Sequence, residues 1–145
     1  MIRKLSTYTV AAALLADLVD RGLDVEQGLL FVIDGSKALR KAIRRVFGND
    51  VPVQRCTAHK TRNVIDHLPE RDRDRVKARL RQAWKETDHD RALEQLTALA
   101  IELDRAHPGA ATSLREGMEE TLTVTRLGIV GKLKLTLSQR TRASR

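Results

Sequence analysis

Apolar residues recur along the chain with two different periods. Leu14, Leu15, Leu18 and Val19 keep a helical spacing that Gly22 stops, which predicts a first helix over about residues 9–21. Leu29-Leu30-Phe31-Val32-Ile33 is unbroken by any polar residue and predicts a strand buried on both faces, with Asp34-Gly35 at its C-terminal end. Ser36 is placed to cap a helix in which Leu39, Ala42, Ile43, Val46 and Phe47 form one apolar stripe. On that helix Lys37, Arg40, Lys41, Arg44 and Arg45 form a separate basic face. Gly48-Asn49-Asp50 ends it, and Val51 to Arg55 predicts a second short strand. Helix, strand, helix, strand in this order fits a right-handed parallel crossover.

From Thr57 onward the periodicity is almost wholly helical. Thr57 predicts the cap of a helix reaching about His67, and Pro69 opens another that buries Val76, Leu80, Ala83 and Trp84. Asp88 predicts the cap of a helix carrying Leu93, Leu96, Ala100 and Leu103, which Pro108-Gly109 breaks. Leu114, Met118 and Leu122 suggest a further helix, although Thr121 to Thr125 alternates as a strand would. Residues 138–145 show no period and read as a frayed tail.

Composition sharpens this picture. With 145 residues and 41% apolar content the chain suits one ordinary core, packed by aliphatic side chains since only 3% are aromatic. The net charge of +8 is unevenly spread: residues 35–86 hold 15 basic and 6 acidic groups, and residues 121–145 hold 6 basic and none acidic. Such a balance favours a polyanionic partner, or else describes a solvated arginine-rich surface. One cysteine rules out an intrachain disulfide framework and fits the reducing cytoplasm. No apolar run is long enough for a membrane span, and Asp17 interrupts the one stretch that resembles a signal peptide, Val10 to Ala16.

Asp34 is the leading candidate for chemistry. A carboxylate where a buried strand gives way to a helix lies on the edge at which open α/β sheets bind ligands, and it is suited to a divalent cation. The same residue also suits a helix-capping role. Ser36 stands where an aspartyl-phosphate phosphatase has its second Asp, and the glycine-rich Gly-Lys-Ser/Thr run of a P-loop does not occur. Cys56-x-x-His59 has the spacing of half a zinc site, but there is no second cysteine to complete it. His89 and His107 fall beside helix ends and read as surface residues.

Taken together, Val32 to Ile43, Val53-Gln54-Arg55-Cys56 with His59 and Arg62-Asn63, Asp88 to Leu93, and Gly117 to Leu122 resemble the mutator-type transposases of bacterial insertion sequences. The resemblance spans roughly residues 9 to 138. It implies a ribonuclease-H-like domain with an Asp-Asp-Glu triad for Mg²⁺, interrupted by a helical insertion. Asp34 would be the second Asp, Cys56 and His59 the family's Cys-x-x-His pair, and DNA at insertion-sequence ends the partner. Lys37, Arg40, Lys41, Arg44, Arg45 and Arg62 would hold its phosphates.

The expectation is therefore an α/β chain with a partial ribonuclease-H-like core over 1–56, a helical insertion over 57–137 and a tail over 138–145. The first Asp would lie upstream of Met1, and no acid follows Glu120, so a truncated gene product that is catalytically silent alone is expected. The alternatives are a non-catalytic DNA-binding protein, one that joins a full-length transposase, or an incompletely folded product.

Overall fold

The computed structural model describes residues 6–138. Ser6 caps α1 (Thr7–Asp20) by accepting from the Thr9 N–H at 3.2 Å. Gly22 follows the helix with φ of 102°, a left-handed conformation that lets the chain turn away. β1 (Phe31–Ile33) leads to α2 (Lys37–Phe47), capped by Ser36 as predicted, and then to β2 (Val53–Arg55). β1 and β2 pair in parallel, with Phe31 opposite Val53 and Ile33 opposite Arg55. The ladder extends by one bond from the Cys56 N–H to the Ile33 carbonyl, 2.7 Å.

β1 is not buried on both faces. Ile33 is buried, whereas Phe31 and Val32 are half-exposed. Phe31 and Ile33 point into a small core with Leu15, Ala42, Ile43 and Val53, and Val32 alternates to the opposite face. Among the described residues β2 is the only strand beside β1, so an unbroken apolar sequence overstates its cover.

A second, larger core joins α3 (Thr57–Ile65), α4 (Glu70–Lys85), α5 (His89–Ala106) and α6 (Pro108–Arg115). Val64, Leu80, Leu96, Leu103 and Leu114 lie at its centre, nearly without exposed surface. The caps differ in one place from expectation. Cys56, not Thr57, holds the N-cap of α3, and the Thr57 hydroxyl instead donates to the Ser138 carbonyl at 2.9 Å. α3 also stops at Ile65, short of His67. Asp88 caps α5 by accepting from the Arg91 N–H.

Leu114, Met118 and Leu122 all enter the core, but not on one helix. α6 ends at Arg115, Gly117 turns the chain at φ of 64°, and Glu119–Leu122 forms a 3₁₀ turn before α7 (Thr123–Arg126). Thr121 to Thr125 is thus helical and buried at every residue, not an alternating strand. The reason lies in β2. The fully buried Gln54 side chain donates to the Thr121 carbonyl (2.9 Å) and accepts from the Val124 N–H (2.9 Å), while Thr123 Oγ1 donates to the Val53 carbonyl (2.6 Å). Side chains, not a strand ladder, satisfy these backbone groups. α8 (Gly131–Ser138) completes the described chain; Ser138 is buried at its end, and residues 139–145 of the expected tail lie outside the described residues.

Gln54→Leu keeps the volume but strands the Thr121 carbonyl and the Val124 N–H in the core. It is expected to destabilise the fold by about 2–4 kcal/mol, read from urea denaturation. A loss below about 0.5 kcal/mol would mean that the Gln54 bonds do not anchor this segment.

Candidate functional site

Asp34 stands exposed at the C-terminal end of β1, and its Oδ1 accepts from the Ser36 N–H at 3.0 Å. This bond holds the carboxylate over the turn that starts α2, so Asp34 both shapes the helix entry and faces solvent. The turn needs Gly35, whose φ is 124°. A Cβ at Gly35 would lie 2.9 Å from Cζ of Arg55, and one at Gly117 would lie 3.2 Å from both Cδ and Cζ of the same side chain, with closer overlaps on its nitrogens. The Arg55 side chain is thus enclosed between two glycines.

Arg55 is 3% exposed although it ends a strand. Its Nη1 donates to the Glu116 carbonyl at 3.3 Å, and its Nη2 lies 3.5 Å from Glu116 Oε1. Lys60, 1% exposed, donates through Nζ to the Ser113 carbonyl at 2.6 Å and also to the Glu116 carbonyl. Both cations therefore sit on the C-terminal carbonyls of α6, the negative end of its dipole. Burial, reinforced by the neighbouring Arg55 charge, still lowers the Lys60 pKa from 10.5 to about 8.

The basic face of α2 is divided. The Arg40 guanidinium bonds Glu120, and Arg44 approaches the same carboxylate at 3.8 Å. Lys41 lies over the Tyr8 ring, 4.6 Å from its centroid. Lys37 and Arg45, like Arg62 on α3, are exposed and form no ion pair among the described residues. Cys56 is buried, and His59 Nδ1 is buried with no hydrogen-bond partner among the described residues. No group of three or more His, Cys, Asp or Glu side chains gathers to hold a metal ion among those residues. His89 and His107 are half-buried rather than superficial: His89 bridges Asp90 and Glu119, and His107 meets Asp72 at 3.1 Å.

Gln54, Arg55, Lys60, Glu116 and Glu120 organise this region, yet periodicity assigned them no role. One signal was available. A polar pair, Gln54-Arg55, ends a predicted strand whose burial it would otherwise oppose.

Comparison with known proteins gives a consistent result. A model of the Mutator family of transposases matches residues 6–134. The transposase for insertion sequence element IST2 of Acidithiobacillus ferrooxidans is 28% identical over 109 residues, covering 75% of this chain and 36% of that protein. The transposase for insertion sequence element ISRM5 of Rhizobium meliloti (strain 1021) is 34% identical over 98 residues, covering 68% of this chain and 24% of that protein. The chain thus spans about a third or less of the length of these curated relatives.

The Lys60 environment sets a pH dependence. Between pH 8 and 10.5 the unfolded chain holds a proton at Lys60 that the folded chain has released, so stability rises with pH through this window. Wild type is expected to gain up to about 3 kcal/mol relative to Lys60→Met between pH 7.5 and 10.5. Parallel urea curves for the two proteins across that range would contradict it.

Proposed function

We propose that this chain, which belongs to the Mutator family of transposases, contributes part of a DNA-processing core: one metal-binding carboxylate and a set of phosphate-binding cations. The carrying observation is Asp34, exposed at the end of β1 where a parallel crossover turns into a capped helix. This placement supports reading β1 and β2 as part of a ribonuclease-H-like sheet with Asp34 as one ligand to Mg²⁺. Hard cations of that kind take several oxygen ligands, and a two-metal centre needs more than one carboxylate. The described residues do not fit a complete site, because no three candidate ligands converge. No cleavage step is therefore assigned to them, and a full-length transposase is the proposed source of the remaining acids.

DNA binding does not need that centre. Lys37, Arg45 and Arg62 offer exposed charge for phosphates, with Arg44 and Lys41 beside them. Arg40 serves this reading indirectly, by tying α2 to Glu120. A protein that binds insertion-sequence ends without cutting them, alone or beside an intact transposase, is the second form of the proposal. The single cysteine suits the cytoplasm, and among the described residues no helix is long and apolar enough to cross a membrane.

The test is a Mg²⁺-dependent nicking assay on duplex carrying insertion-sequence ends, run beside binding of the same duplex. The expected result is binding without turnover, with affinity falling steeply as salt rises. Lys37→Ala/Arg45→Ala should weaken binding and reduce the log–log salt slope by about 2. Turnover by the chain alone would overturn the incomplete-site reading, and salt-insensitive binding would overturn the phosphate-binding one.

A further inference from the structure

We infer that the helical region carries a second nucleic-acid site, a groove between α3, α4 and α8 that takes a single DNA strand by its phosphates. The inference rests on the transposase reading above for its choice of polyanion, but the groove is separate from α2 and Asp34. It encloses about 820 Å³ and is lined by Lys77, Arg81, Trp84 and Lys85 from α4 and by Lys134 from α8, with Thr61 of α3 beside them.

α4 sorts its many cations. Arg75 and Arg79 turn to α5, where both bond Glu102, and Arg73 donates to the Leu68 carbonyl at 3.1 Å. Lys77, Arg81 and Lys85 instead follow one another at i, i+4 and i+8, about 6 Å apart along the helix. They face the groove and form no ion pair among the described residues. Lys134 faces them from the other wall, 8% exposed, with Nζ donating to the Glu86 carbonyl at 2.5 Å. No acidic side chain lines the groove. Three like charges in file on one wall focus a positive potential into the groove, an arrangement that an anion relieves, while the Lys134 ammonium opposite is already engaged by the Glu86 carbonyl.

Shape and chemistry favour one strand over a duplex. A concave groove admits an extended backbone, whereas a duplex presents a convex cylinder. A linear file of cations matches a backbone with a phosphate at every step. Trp84 adds an apolar floor, held by its indole N–H donating to Thr121 Oγ1 at 3.1 Å. Cations beside a fixed aromatic are the usual components of single-strand binding.

The test is fluorescence anisotropy of the full chain with a labelled oligo(dT) of about 12 nucleotides and with a duplex of equal length, each across a salt series. The variant is Lys77→Ala/Arg81→Ala, which changes half-buried and exposed positions only; a circular dichroism melt checks that it folds. The expected result is at least tenfold weaker oligo(dT) binding, a salt slope reduced by about 1.4, and duplex binding changed less than threefold. Unchanged oligo(dT) affinity overturns the groove site. If duplex binding persists and responds to Lys37→Ala/Arg45→Ala while oligo(dT) binding ignores the groove variant, this inference fails and the proposed function stands. If wild type binds neither probe, both fail.

Discussion

One buried guanidinium constrains this molecule more than any other group. Arg55 leaves the end of β2 and runs between two glycine turns, Asp34-Gly35 on one side and Gly117 on the other. Neither turn tolerates a side chain beside it, and Arg55 itself has little room to swing, since relief at one glycine drives it toward the other. A strand residue thereby fixes the spacing between the loop that carries the candidate metal ligand and the loop that follows α6. Its Nε stays without a partner among the described residues, a cost that persists only because the surroundings hold the side chain in place.

The neighbouring charges follow from that placement. Two buried cations side by side, Arg55 and Lys60, are tolerable because the carbonyl end of α6 meets both. Glu116 and Glu120, on either side of Gly117, then reach Arg55 and Arg40 in turn. The sheet core and the helical core are therefore joined through polar contacts, whereas each is internally apolar. Gln54 makes a similar junction one residue earlier, with amide bonds to the 3₁₀ turn and α7. Asp34 remains outside this network, exposed and with its Oδ1 on the Ser36 N–H.

Local patterns made much of the fold legible. The Ser36 cap, the α2 stripe and the Asp88 cap depend on interactions within a few residues, the parallel order of strands follows from the handedness rule for a crossover, and each appears in the structure. What could not be read were consequences of distant partners. The alternation of Thr121 to Thr125 imitates a strand, whereas Thr121 and Thr123 in fact bond different buried partners, one of them a carbonyl 70 residues away. The basic stripe of α2 reads as uniform, but Glu120, 80 residues on, withdraws Arg40 from it. Asp34 was legible as a candidate because strand ends have a general meaning. The Arg55 clamp was not, because nothing in its local sequence specifies two glycines far apart in the chain.

The claim that Arg55 couples these turns through direct contact is most sharply tested by a double-mutant cycle on folding stability with Gly35→Ala and Arg55→Ala. The strain of an alanine at a φ of 124° is present in both backgrounds and cancels. Gly35→Ala is expected to cost about 1–3 kcal/mol less once Arg55 is truncated, because the overlap has gone. Additive effects of the two substitutions would contradict it.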